Sequence, residues 1–166
     1  CDMFNIPIIL FADIPGLMVG RESEADAILR EGVRTRYILG NVKVPMFTVI
    51  VRKCYGVAGG GFIDRAGLNF KIAWPSGEWG SLPVEGGVKA AYRREIESAP
   101  DPVAREREIE AELKQLASPF RTAEAFAIED LIDPRETRPY LCQFIDALQG
   151  RLASQLGPKW RAGVRP

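Results

Sequence analysis

Histidine is absent from this chain. That removes, within it, any Ser-His-Asp or Cys-His nucleophile system and any imidazole-based metal site. Cys54 has no histidine to activate it, so it reads as a packed small residue rather than a nucleophile. What remains is the main chain. The apolar run Val44–Val51, followed by Arg52 and Lys53, empties into Tyr55-Gly56-Val57-Ala58-Gly59-Gly60-Gly61, and a helix-like segment follows. Small residues let a ligand approach the backbone. N–H groups at a helix start point outward without intrahelical partners, backed by the helix dipole. The chemistry such a turn could do is stabilisation of an oxyanion. The alternative stays open at this point, because the same glycines serve a tight structural turn. The spacing matches neither a GxxxxGK[ST] phosphate loop nor a dinucleotide fingerprint.

The elements around the turn predict an α/β fold. Ile6–Asp13 is a continuous apolar run, expected to be a strand buried on both faces. The loop Pro15-Gly16-Leu17-Met18-Val19-Gly20 leaves its carboxyl end, where α/β folds place ligands. A helix is expected over 22–39, with Ser23 as N-cap, Asp26 reciprocal, and Ala25, Ile28, Leu29, Gly32 and Val33 as the apolar stripe. Met46–Val51 is the second buried strand, parallel to and beside the first, with the helix as crossover. One or two helical turns are expected over 61–66, and short strands over 69–74 and 78–82. A helix over 84–96 carries Val84, Val88, Tyr92 and Ile96 on one face. Asp101-Pro102 opens a charged helix to about 117, with Ile109, Leu113 and Leu116 as a narrow stripe. A helix over 120–126, an extended segment over 127–132 and a helix over 137–156 follow, and the tail 157–166 is expected to fray. Strands alternating with helices imply a mostly parallel sheet. Asp133–Arg138 reads as the start of the last helix with a buried Arg–carboxylate pair. Arg52 and Lys53 read either as neutralisers of an anionic ligand or as a basic strand end. Trp74 and Trp79 read as core or corner residues.

Composition narrows the function classes. The 166 residues suffice for one domain. Lys and Arg (22) balance Asp and Glu (22), which argues against a dedicated nucleic-acid binder. No apolar run reaches membrane-spanning length, and no metal site is expected. The three widely spaced cysteines, Cys1, Cys54 and Cys142, suggest reduced thiols and a cytoplasmic protein. The chain opens at Cys1 without a methionine, inside what reads as a helix end, and is expected to be one piece of a longer polypeptide.

Taken together, four segments resemble the carboxyltransferase (beta) subunit of biotin-dependent acyl-CoA carboxylases, of the propionyl-CoA and methylcrotonyl-CoA kind, in part of its C-terminal half. FNIPIILFADIPGLMVGRESEADAILREGVR is similar to that family's apolar strand, D-x-P-G-F-x-x-G loop and helix. VPMFTVIVRKCYGVAGGG resembles its V-P-x-x-T-V-I-x-R-K-x-Y/F-G-x-A/G segment. AWPSGEWGSLPVEGGVKAAYRREI and SPFRTAEAFAIEDLIDPRETRPYL resemble its A-W-P and I-D-P-x-x-T-R regions. The resemblance runs from residue 4 to about 150.

The resemblance implies a crotonase-like (ClpP/crotonase) fold of ββα units in a superhelix, present here as a partial domain. It divides the chain into an N-terminally truncated carboxyltransferase domain, 1–156, and a tail, 157–166. It implies transfer of a carboxyl group from carboxybiotin to the α carbon of an acyl-CoA. The backbone N–H groups of Val57 and Ala58 would hold the biotin ureido oxygen. Pro15, Gly16, Leu17, Tyr55, Gly56, Gly59 and Gly60 would line the substrate and biotin site. Biotin arrives on a partner, acyl-CoA is the substrate, and the implied partners are biotin carboxyl carrier and biotin carboxylase components and further copies in a homo-oligomer, a hexamer by resemblance. Neither nucleic acid nor membrane is expected as a partner. Departures from the family pattern are Glu31 where relatives carry His, Gly60 where they carry a larger side chain, and Leu82-Pro83 in place of M-G. Two other readings are a non-catalytic module that binds the biotin carrier, and a biotin-linked acyl-CoA decarboxylase subunit.

Overall fold

In the computed structural model, which describes residues 1–63 and 67–160, five parallel strands form one sheet. They are β1 (Ile8–Ile14), β2 (Met46–Tyr55), β3 (Asn69–Ala73), β4 (Glu78–Gly80) and β5 (Asp130–Leu131). The order is β1-β2-β3-β5, with β4 paired to β2 beyond the stretch that pairs β3. The helices are α1 (Arg21–Ala25), α2 (Ile28–Asn41), α3 (Gly56–Ile63), α4 (Val84–Ala91), α5 (Arg93–Ser98), α6 (Pro102–Leu116), α7 (Pro119–Glu124), α8 (Thr137–Ala147) and α9 (Gln149–Ser154). The expected parallel pairing of the two apolar runs is present, Ile8 opposite Met46 and Ala12 opposite Ile50.

β2 carries the core because both of its faces are covered. Ile50 and Cys54 pack with Ala12, Ile63, Ala73 and Ile128 on one side. Phe47 and Val49 pack with Ile72 and Ile132 on the other, under Tyr140, Leu141 and Phe144 of α8. Phe47 meets the Phe144 ring edge-on at 4.9 Å between centroids, a favoured aromatic geometry.

Several expectations are corrected. β1 is not buried on both faces: Ile9 is 40% and Phe11 54% exposed. α8 covers their neighbours Phe47 and Val49, and β1 is the last strand of the order. The helix expected over 22–39 is broken, because Ala27 adopts a left-handed φ of 56° between α1 and α2. Ser23 is buried inside α1 rather than capping it, and Gly20 precedes the first turn. The predicted stripe of α2 is largely open, with Leu29 and Val33 exposed; Ile28 is half-buried, and Gly32 closes against Leu17. The helices expected over 84–96 and 137–156 each divide in two. Val84, Val88, Ile96 and Ile109 do form one buried cluster, with Tyr92 and Leu113 packed on it, but Leu116 is exposed.

Asp101 caps α6 by accepting from Val103 and Ala104 N–H. The Asp133–Arg135 pair exists but is exposed, since Asp133 caps the single 3-10 turn Pro134–Glu136 at the surface. Of the tail, Lys159 is held rather than frayed. Lys159 Nζ donates to Asp2 O (3.1 Å) and Asn5 Oδ1 (2.9 Å), beside the Asp2 carboxylate at 3.6 Å. Residues 64–66 of the expected third helix and 161–166 of the tail lie outside the described residues.

Candidate functional site

Most of the residues proposed from sequence gather where β1 and β2 end. β2 runs four residues past its predicted end at Val51, to Tyr55, and passes straight into α3 at Gly56. Two glycines there answer to packing. Gly56 takes φ +61°, with Ser81 O 3.3 Å from where a Cβ would stand, a backbone state that costs other residues. A Cβ on Gly59 would lie 2.5 Å from the Cys54 carbonyl carbon, so only glycine lets α3 start this close to its own strand. Gly60 answers to no such demand: nothing lies within 4 Å of a Cβ placed there. The sequence left the turn as either structural or functional. The structure divides it, with glycine required beneath and open space above.

Val57 is 78% exposed and Ala58 is buried. Both lie in the first turn of α3, where N–H groups have no acceptor four residues back within the helix. α2 and the β1 exit loop flank this opening. The Arg36 stem lies 3.5 Å from a Cβ built on Gly61, and one turn earlier on α2 Leu17 lies 3.4 Å from one on Gly32. Leu17 and Val57 therefore sit beside successive turns of the same helix. Pro15 is exposed, and Gly16 adopts φ +140°.

The side chain of Tyr55 serves the turn from below. Its ring lies 2.9 Å from a Cβ built on Gly80, and its hydroxyl donates to Glu78 Oε2 at 2.9 Å. It also borders a cavity of about 320 Å³ with Lys53, Ser76, Glu78, Lys114 and Ser118. Val57 and Ala58 do not line that cavity. The opening beside Val57 and Gly60 is therefore separate from the cavity.

Arg52, which the sequence offered as a neutraliser of a bound anion, is engaged with Asp13 through Nε and Nη2 at 2.9–3.2 Å. The Asp13 carboxyl is held below its usual range, first by that contact and then by the Lys53 N–H. Sequence reasoning placed Asp13 only at the end of the first apolar run and in the D-x-P-G loop. The signal that could have marked it is an acid at one strand's exit facing an Arg-Lys pair at the next. Glu31, in the place of the family histidine, is exposed with Arg34 3.9 Å away. Cys54 is buried, as expected, and no disulfide joins the three cysteines. Among the described residues, no cluster of His, Cys, Asp and Glu could hold a metal, and no helix is long and apolar enough to cross a membrane.

Comparison with known proteins places this arrangement among the crotonase-like carboxyltransferases, as an α/β partial domain. The chain belongs to the carboxyl transferase domain family, which it matches over residues 1–161. It is 37% identical over 157 residues to the carboxyltransferase subunit of propionyl-CoA carboxylase of Haloferax mediterranei, covering 93% of this chain and 30% of that protein. It is 36% identical over 140 residues to the methylmalonyl-CoA carboxyltransferase 12S subunit of Propionibacterium freudenreichii, covering 83% and 27%. The transcarboxylase 12S crystal structure, described as a hexamer with methylmalonyl-coenzyme A and methylmalonic acid bound, superposes with a TM-score of 0.79 at 31% identity, over 100% of this chain and 32% of that one. The beta subunit of Pseudomonas aeruginosa geranyl-CoA carboxylase shares the fold, with a TM-score of 0.81 at 22% identity, over 99% of this chain and 32% of that one. The chain thus spans about 30% of the length of the curated relatives it matches.

Proposed function

We propose that this chain, residues 1–156 above all, is the biotin-side portion of a carboxyltransferase that moves a carboxyl group from carboxybiotin to the α carbon of an acyl-CoA of the propionyl-CoA kind. The observation that carries the reading is the open main-chain turn of Gly56–Gly60, at the carboxyl end of a buried parallel strand, in a chain of the carboxyl transferase family. The residues present suit biotin. Val57 is exposed, and nothing lies within 4 Å of a Cβ placed on Gly60. Bound biotin would supply the transferable carboxyl group.

The N–H groups of Val57 and Ala58 would donate to the ureido oxygen, where charge accumulates as the carboxyl group departs. A preorganised donor of this kind typically lowers the barrier by about 2.7–4 kcal/mol. Pro15, Gly16 and Leu17 would border the ring from the β1 side, while Tyr55, Gly56 and Gly59 hold the turn in shape. Gly60 would leave room toward the acyl group. Contacts to the rest of the acyl-CoA would come from polypeptide beyond this chain.

The exposed apolar residues Ile9 and Phe11 on β1, and Leu29 and Val33 on α2, support cover by further polypeptide or by other copies in a homo-oligomer, with biotin carboxyl carrier and biotin carboxylase as partners. Free, widely spaced thiols support a cytoplasmic setting. A second reading, decarboxylation, is favoured by 30% identity to a protein named methylmalonyl-CoA decarboxylase subunit alpha, from Propionigenium modestum. The same donors would serve it, because they stabilise the same oxygen in both directions.

The test is to express the full-length polypeptide that contains this chain. It is then supplied with a carboxylated biotin carrier and propionyl-CoA, and carboxylated product is followed by mass. The reverse reaction is run from methylmalonyl-CoA and the uncharged carrier. Transfer is expected in at least one direction. A folded, assembled protein inert in both would defeat the proposal.

A further inference from the structure

β1 and β2 keep one register from Ile8–Met46 to Ala12–Ile50, but the next pair is Ile14–Cys54. β1 thus advances two residues while β2 advances four. The surplus on β2 lies opposite Asp13. At the same place β2 changes neighbour: Met46–Ile50 pair with β3, and Lys53–Tyr55 pair with β4. Such a bulge leaves ladder groups unpaired and bends the strand.

Side chains close the gap. Asp13 Oδ1 accepts the Lys53 N–H at 3.0 Å. Arg52 Nε lies 3.2 Å from both Asp13 oxygens, and its Nη2 lies 2.9 Å from Oδ2. From the other side Ser76 Oγ donates to Val51 O at 2.6 Å. Pro15 follows Asp13 by two residues, and Gly56 follows Lys53 by three. One carboxylate therefore ties the start of the Pro15–Leu17 loop to the strand that delivers the first turn of α3.

The geometry points to Asp13 as a positioning residue for carboxyl transfer, one that locks the β2 bulge and so fixes the Val57 and Ala58 N–H groups against the Pro15–Leu17 loop. The inference rests on the function proposed above. The Arg52 and Asp13 side chains are 60% and 38% exposed, so as a surface ion pair they contribute little to global stability. Their consequence belongs to placement, where a shift of about 1 Å can cost a hundredfold in rate. The depressed carboxyl keeps Asp13 charged at any pH where the enzyme would be assayed.

The experiment uses the full-length protein and three variants. Asp13→Ala removes both contacts. Asp13→Asn keeps an acceptor for the Lys53 N–H but loses the pairing with Arg52. Arg52→Gln leaves the backbone contact alone. Asp13→Ala is expected to lower kcat roughly ten- to a hundredfold and to raise KM for the carboxylated biotin carrier, with KM for acyl-CoA, melting temperature and oligomer size unchanged. Asp13→Asn should recover most of that loss, and Arg52→Gln should show the smallest change.

Wild-type kcat and carrier KM in Asp13→Ala would overturn the inference. So would a loss of kcat that follows melting temperature or oligomer size while both KM values hold. Should Asp13→Ala fail to assemble, Asp13→Asn decides: a raised carrier KM supports positioning, and an unchanged one refutes it. Ala58→Pro, measured alongside, separates the two claims. If Ala58→Pro abolishes transfer while the Asp13 variants are normal, only the positioning role fails. If Ala58→Pro is fully active, the donor pair itself fails.

Discussion

The glycine-bearing turns after β2 and β3 end differently. The turn after β3, Trp74–Gly77, is closed on itself. The Gly77 N–H donates to Trp74 O at 2.9 Å, the Trp74 N–H to Ile50 O at 3.0 Å, and the Trp74 indole N–H to Thr137 Oγ1 at 2.9 Å. A Cβ on Gly77 would meet the Trp79 ring at 2.9 Å. The turn after β2 is closed only beneath, at Gly56 and Gly59, and open above, at Val57 and Gly60. Glycine content does not distinguish them. What differs is the space over the main chain: the Trp79 ring closes over Gly77, whereas nothing lies within 4 Å of a Cβ on Gly60.

Substitution can break or sharpen that contrast. The largest effect should come from Gly59→Ala. Its Cβ would stand 2.5 Å from the Cys54 backbone carbon, and backbone cannot yield as a flexible side chain does. Stability should fall by about 1–3 kcal/mol, the usual scale for overpacking, and transfer per folded enzyme should fall with it, measured by denaturant melts and turnover on one preparation. Gly77→Ala should cost somewhat less, about 1–2 kcal/mol on the same scale, because the Trp79 ring can tilt. Transfer per folded enzyme should hold, since the Trp74 and Gly77 N–H groups already donate to main-chain carbonyls. Lost turnover in Gly77→Ala at retained stability would erase the distinction between the turns.

Acid probes the two sides separately. Asp13 is tied to the open turn. Asp133 caps the 3-10 turn whose Pro134 carbonyl accepts from Thr137, the residue that holds Trp74. Both carboxyls are depressed, Asp133 to about 2 from 3.8, chiefly by its bonds from Arg135. A depressed carboxyl contributes stability that is complete above its unfolded value and lost as pH falls through the folded one. Both pairs are exposed and screened by solvent, so the acid limb below about pH 4 should flatten only slightly in Asp133→Asn and in Asp13→Asn. Of the two, only Asp13→Asn should also change transfer at neutral pH. The smallest effect on stability should come from Gly60→Ala, which meets nothing within 4 Å. Its melting temperature should match wild type, and any change should appear in acyl-CoA preference.

Much of this was legible in the sequence, for physical reasons that differ by element. Apolar run length marked β1 and β2, and their pairing followed from the single helical segment between them. Asp101-Pro102 announced a helix start through chemistry local to two residues. The break at Ala27 was hidden because nothing in an alanine signals a left-handed φ. β1 exposure was hidden because a run of Ile, Leu and Phe reads the same whether its cover belongs to this chain or to another. The open turn was half legible. Small residues marked it, but only the neighbours at Cys54 and Ser81 show which glycines packing requires. The Asp13–Arg52 contact joins residues 39 apart across a register shift that no local pattern encodes.

The central claim is that main-chain N–H groups at the start of α3, rather than any side chain, do the chemistry. Carboxyl transfer by Ala58→Pro and Ala58→Gly in the full-length protein tests it most directly. Proline deletes the donor and restrains Val57, whereas glycine keeps the donor. With melting temperature and oligomer size matched to wild type, Ala58→Pro should lose at least about a hundredfold in transfer, and Ala58→Gly should stay within a few-fold. A well-folded Ala58→Pro enzyme with full activity would contradict the account and put the site elsewhere.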